Sequence, residues 1–213
     1  MSEASVSREF CQAVFDYLAQ LGHDAEAVMG SAGLDAPRLL PSGRVPLRVY
    51  EQLFSAGELL TGDHCFGLSM GASPYPRSWG LVSHLAVSAP DAMTAASALM
   101  DYSELQLNFL QFRIRKFDDH NICMELQHDG VPRLSRHVAE HLLANIAVLA
   151  STQIGYELPA LRVQLAHDNV QSAAQLARRI NAQVTISADM YRVEAAPEFL
   201  EQQSLYGEED LYR

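Results

Sequence analysis

Positive charge is what this sequence has least of. Its 213 residues hold 15 Lys and Arg against 26 Asp and Glu, a formal net charge of −11. Proteins that hold nucleic acid release counterions from phosphates to clustered Lys and Arg, so this balance argues against a direct nucleic-acid surface. The densest basic run is Arg113, Arg115 and Lys116, and its alternation reads as the exposed face of a strand. Cysteine is scarce too: Cys11, Cys65 and Cys123 are widely spaced and form no Cys-x-x-Cys pair. That argues against a disulfide framework or a zinc ribbon and suits reduced, buried thiols. No stretch of about 18 uncharged apolar residues occurs, so no membrane-spanning helix is expected. The N-terminus lacks the basic and apolar regions of a secretory signal. These absences imply the cytoplasm.

What is present is an ordinary globular composition, 48% hydrophobic and 19% charged. Phe10, Val14, Tyr17, Leu18 and Leu21 recur at helical spacing and stop at Gly22. A second helix runs through Ala25, Val28 and Met29 to Gly33, and a third follows Pro46 and closes at Thr61-Gly62-Asp63. Residues 64–89 read as short apolar pieces punctuated by Gly and Pro. Ser88 and Pro90 then predict the start of a helix with Met93, Ala96, Leu99, Met100 and Tyr102 on its inner side. Phe109 to Phe117 alternates as a half-buried strand, Asp118-Asp119-His120-Asn121 reads as a turn, and Ile122 to Leu126 returns as the partner. The longest helix spans 133–153. Strands at 161–165 and 184–186 flank a helix at 170–180, and Met190 to Val193 reads as a short edge strand. The expected fold is α+β: N-terminal helices, then a ββαβαβ-like mixed sheet with helices packed on it, in one domain over 1–213.

The sharpest chemical motif is His137-Val138-Ala139-Glu140-His141. Residues four apart share a helix face, so both imidazoles face one way with Glu140 beside them, the His-x-x-Glu-His order of one class of zinc hydrolase. The plainer reading puts His137 and Glu140 on a solvated helix edge and His141 at the border of the core. No nucleophile elbow or phosphate-cradling glycine loop occurs, and His64-Cys65 lacks a defined base. The sequence therefore predicts no catalytic residue, metal or cofactor.

A pocket is more in keeping with the residues. Tyr75, Trp79, His84 and Tyr102 surround the Gly/Pro-rich middle and Phe112 adjoins it, rings with polar tips that suit an apolar cavity. Phe109 lies an odd number of positions away, so the two phenylalanines do not both face one cavity. Arg77 or Arg113 is available as counter-charge. The expected ligand is a small apolar or aromatic acid. On the long helix, Leu142, Ile146 and Leu149 form a stripe expected to join two copies in a homodimer.

The order of features resembles a known family. Gly33-Leu34-Asp35, Arg44-Val45-Pro46, Tyr50, Leu53, Thr61-Gly62-Asp63 and Phe66-Gly67-Leu68 carry the first part. Gly80-Leu81, Ser88-Ala89-Pro90, Val163-x-Leu165-x-His167, Tyr191-Arg192-Val193 and Pro197-Glu198-Phe199-Leu200 carry the rest. Together these resemble the N-terminal regulatory domain of AraC-type transcriptional regulators, in the arabinose-binding-like subgroup. Members often have Gly-Tyr after the Gly-Leu pair, where this chain has Val82-Ser83-His84, so a pocket wall is expected to differ. The resemblance implies a domain that binds a small organic effector and pairs with a second copy. DNA would be contacted only through a C-terminal helix-turn-helix region absent from this chain, with residues 201–213 as the beginning of a linker. A zinc hydrolase built on His137, Glu140 and His141, or a regulator domain without a small ligand, stands as the alternative.

Overall fold

In the computed structural model, residues 3–34, 43–73, 79–116, 122–128, 134–154, 161–180, 182–195, 197–199, 201 and 203–207 are described. The first half is helical. After a short strand β1 (Ser5–Ser7) come α1 (Arg8–Gln20) and α2 (Ala25–Ala32), the latter capped by the Asp24 carboxylate on the Ala27 N–H at 2.7 Å. Gly33, at φ 66°, ends α2 in the left-handed conformation that glycine adopts without penalty. Strand β2 (Arg44–Pro46) pairs antiparallel with β1, Val6 opposite Val45, and leads into α3 (Leu47–Thr61). Two three-residue strands are too short to show a period, and they were not apparent in the sequence.

The Gly/Pro-punctuated middle contains two helices that the sequence reading missed, α4 (Phe66–Gly71) and α5 (Leu81–Ser88). Helix α4 is too short to display an amphipathic repeat, and α5 buries only Val82 and Ala86 and so shows little of one. Helix α6 (Ala92–Gln106) is capped by Asp91, which accepts the Thr94 N–H at 2.7 Å. The expected cap, Ser88, instead ends α5 and turns its hydroxyl back to the His84 carbonyl at 2.8 Å. Ala96 and Leu99 of α6 face inward as expected, whereas Met93 and Tyr102 are each 44% exposed.

The second half forms a five-stranded sheet in the order β3-β4-β7-β5-β6. Strands β3 (Leu110–Lys116) and β4 (Ile122–His128) make the expected hairpin, with Phe112 opposite Leu126 and Ile114 opposite Met124. Helix α7 (Arg136–Ile154) follows, then β5 (Leu161–Gln164), α8 (Val170–Arg179) and β6 (Ala182–Thr185), a parallel βαβ unit. Strand β7 (Arg192–Ala195) is central rather than peripheral: it lies antiparallel between β4 and β5. Its neighbours supply both of its ladders, which four residues of sequence do not reveal.

One sheet face carries Phe112, Ile114, Met124, Val163 and Val193; the opposite face carries Arg113, Arg115, Glu125 and Arg192. On that polar face Glu125 is buried among arginines, 2.5 Å from Arg115 and 2.9 Å from Arg192. Leu142, Leu143, Val138 and Ala144 of α7 are buried at 0–1% exposure, and one apolar core runs from Val6 to Tyr191. Among the described residues no helix is long and apolar enough to cross a membrane.

Candidate functional site

Those of the residues singled out for a pocket that are described do not gather round one cavity. Trp79 is fully buried, with its ring centroid 5.2 Å from Phe10 and 5.6 Å from Phe112. His84 is exposed on α5 and Tyr102 on α6. Tyr75 and Arg77 lie outside the described residues. Arg113 points to the sheet face opposite Phe112, where its guanidinium meets Gln111 at 3.4 Å. Leu142, Ile146 and Leu149, expected between two copies, are 0%, 8% and 5% exposed and belong to the core of the single chain.

Helix α7 presents the His-x-x-Glu-His motif to the interior, so the solvated-edge reading of His137 and Glu140 does not hold: they are 8% and 0% exposed. His137 Nδ1 accepts the Gly67 N–H at 3.3 Å, which leaves its proton on Nε2, 2.7 Å from Glu58 on α3. His167, between β5 and α8, repeats the arrangement: Nδ1 accepts the Asn169 N–H at 3.2 Å while Nε2 stands 3.1 Å from Glu140, off the line of a good hydrogen bond. Arg136 lies 3.8 Å from both Glu58 and Glu140 and binds the Ser172 hydroxyl at 3.2 Å. Burial raises the Glu58 pKa, but hydrogen bonds from His64 and His137 and the nearby Arg136 guanidinium outweigh it and hold the carboxyl below its ordinary value.

His141 takes no part in that network. It lies in an aromatic nest, 5.5 Å from Phe54 and 6.1 Å from Phe10, and burial pushes its pKa down to about 3. Both histidines of the motif pack against Phe54, His137 at 6.1 Å and His141 at 5.5 Å, while His137 also faces Glu58. Among the described residues no three His, Cys, Asp or Glu side chains are grouped to hold a metal ion. The chemistry this arrangement supports is structural: ion pairs and hydrogen bonds through Arg136 tie α3, α7 and α8 together. All three cysteines are free and buried, and desolvation carries the Cys11 thiol up to about 12.

Space for a ligand lies at the other end of α7. A cavity of about 60 Å³ lies between the apolar sheet face and α7, walled by Ile114, Met124, Ile146, Leu161 and Val193. A second, of about 70 Å³, lies against α6, where Ala92, Ala95, Ala96 and Leu99 face Leu149. Both share Met124, Ile146, Ala150 and Phe199, so the two spaces adjoin as neighbouring lobes at those residues. Every described lining residue is apolar. Ala92 and Ala96, with Ile114, Met124 and Phe199, pack as a cluster separate from the main core.

Phe199 belongs to a single 3-10 turn, Pro197–Phe199. The chain beyond it is tied to the α5–α6 junction: Ser204 N–H donates to Pro90 O at 2.8 Å, and Gln203 bridges Asp91. Gly207 lies so close to Pro90 and Ala89 that a side chain there would collide. The wall of the cavity and the C-terminal segment are therefore one continuous piece.

A family model, the arabinose-binding domain of AraC transcription regulators, N-terminal, matches residues 22–204. The chain belongs to that family. Membership makes it a regulatory domain of a transcription regulator. Among solved structures it is similar to the transcriptional regulator CdpR from Pseudomonas aeruginosa, at 15% identity and a TM-score of 0.59 over 93% of this chain. At that identity the likeness is one of fold. The chain spans 60% of the length of the CdpR chain. No curated protein sequence matches.

The sequence-based search looked for rings and missed the cavity, whose mark is the lack of bulk. Ala92, Ala95 and Ala96 on α6 line one lobe with Ala150 of α7, and Ala147 and Ala150 of α7 line the other. Facing rows of small residues mean either close helix contact or a gap, and only the three-dimensional arrangement distinguishes them.

Proposed function

We propose that this domain senses a small organic effector in the two-lobed cavity and passes its occupancy to a DNA-binding region of the complete regulator. Phe199 carries the reading. It walls both lobes and leads directly into the segment held to Pro90 and Asp91. A ligand that fills the lobes presses on Phe199 and so favours one position of that segment over another. An effector acts only through such a difference in affinity, and couplings of about 1–3 kcal/mol alter DNA binding about 5–150-fold.

The 213 residues are taken as one sensing unit that works as a homodimer in the cytoplasm. Leu142, Ile146 and Leu149 already sit in the core, so pairing uses other surfaces. The family name supplies arabinose as one ligand to try, and a reporter assay decides whether the cavity is the sensor. A regulator carrying this domain is tested on its promoter across sugars, aromatic acids and aliphatic compounds, with Ala150→Leu as the cavity-filling variant. The reading predicts that the variant abolishes the response to whichever compound acts. A response that survives Ala150→Leu places the sensor elsewhere.

A further inference from the structure

We infer that β6, the outermost strand of the sheet, is the seam at which two copies of this chain join. The inference rests on the reading of the domain as a homodimer and names the surface that pairing uses. Among the described residues no strand lies beyond β6. Its inner side is bonded to β5: the Leu165 N–H donates to Thr185 O and the Ser187 N–H to His167 O, each at 2.8 Å. Backbone groups alternate along a strand, so Ala182, Val184 and Ile186 turn their N–H and C=O outward. No described residue bonds to those groups. An open ladder of this kind is a template for another strand.

The two edges of the sheet differ. At the far edge β3 exposes Arg113 and Arg115, charges of the kind that keep strands from pairing. Strand β6 reads Ala182-Gln183-Val184-Thr185, without charge or proline. Ala182, Val184 and Ile186 pack only partly on the core, so a second strand would cover apolar surface as well. The ends of β6 select a second copy as the occupant. Arg178 and Arg179, both exposed, precede it, and Asp189, also exposed, follows it. Antiparallel pairing about a two-fold axis sets the basic end of each strand beside the acidic end of the other. That local match counts in a chain of net charge −11, whose copies otherwise repel. Centring the axis on Val184 engages all three outward residues and sets Gln183 opposite the partner's Thr185 on the open sheet face. A seam this short belongs with reversible rather than obligate pairs.

Sedimentation velocity of the whole 213-residue chain over a concentration series tests the seam, with circular dichroism to confirm folding. Two variants place like charges opposite each other: Gln183→Lys with Thr185→Lys, and Gln183→Glu with Thr185→Glu. Both positions are exposed, so neither variant disturbs the core. Wild type is expected to dimerise, and each variant alone to do so about tenfold more weakly at low salt. An equal mixture of the two variants is expected to recover heterodimers at least as strong as the wild-type dimer, a rescue that damage to the fold cannot produce. Variants that each dimerise as well as wild type overturn the inference and leave the homodimer reading intact, with its surface elsewhere. Weakened variants with no recovery in the mixture overturn it too. A wild type that stays monomeric at every concentration removes the homodimer reading and the seam together, and the promoter assay judges sensing separately.

Discussion

Gly67 lies directly against the backbone of His137: a methyl group on Gly67 would collide with the His137 carbonyl oxygen and Cα. One turn on, Gly71 meets His141 in the same way, with the Ala144 methyl 3.0 Å from where its own Cβ would be. The two glycines let α4 approach α7 at backbone distance, and the same contact supplies the N–H that fixes the His137 ring. Gly67→Ala is expected to destabilise the domain by about 1–3 kcal/mol through overpacking. Gly30→Ala, on an open face of α2, should add about 0.5–1 kcal/mol. Urea unfolding midpoints of the two variants against wild type check both signs.

The Glu140–His167 pair joins α7 to the loop before α8, with both residues buried. Buried polar groups in such a place depend on one another, so a single replacement leaves its partner stranded. A double-mutant cycle on Glu140→Gln and His167→Gln is expected to give a coupling of about 0.5–3 kcal/mol. Strict additivity of the two losses would contradict the pairing.

His141 makes stability depend on pH. Its folded pKa, about 3, lies below its ordinary value of 6.5, so between those limits the unfolded chain binds the extra proton. Stability is therefore highest above pH 6.5 and falls on acidification, by up to about 1.4 kcal/mol per pH unit from this group. Glu58, with its pKa held down, adds a loss in the same direction at lower pH. His141→Leu should flatten the slope between pH 6 and pH 4.5 in equilibrium unfolding. An unchanged slope would mean that the ring is already protonated in the folded protein.

Leu142 tests how α7 is used. Fully covered within one chain, it should behave as a core residue: Leu142→Ala costs about 2–5 kcal/mol. Sedimentation velocity of the folded variant should match wild type at equal concentration. Loss of a dimer without loss of stability would restore Leu142 to an interface.

Long elements were legible because periodicity needs length. The stripe from Phe10 to Leu21 and the β3–β4 alternation were read from the sequence close to where they lie. Elements below two turns or about four strand residues were not, which is why α4, β1 and β2 were missed; α5 is as long as α2 but follows a stretch of Gly and Pro that reads as turns. The His-x-x-Glu-His spacing correctly placed three side chains on one helix, but spacing does not say what faces them. Glu58, His167 and the Phe10–Phe54 nest come from distant parts of the chain. Trp79 was legible as an important ring and turned out to be a core ring, packed between Phe10 and Phe112. Its indole N–H and the Tyr50 hydroxyl are buried without a hydrogen-bond partner, which no one-dimensional pattern reveals.

The central claim is that the apolar space around Met124 is where the effector sits. Seven methionines make the chain suited to methyl NMR, with Met124 at the cavity and Met29 and Met70 buried elsewhere in α2 and α4. Titrating whichever compound acts in the promoter assay into protein labelled at the methionine methyl, with Met124→Leu to assign the signal, reads the site directly. A saturable shift of the Met124 resonance is expected while Met29 and Met70 stay in place. A Met124 signal that does not move while that compound binds would contradict the claim.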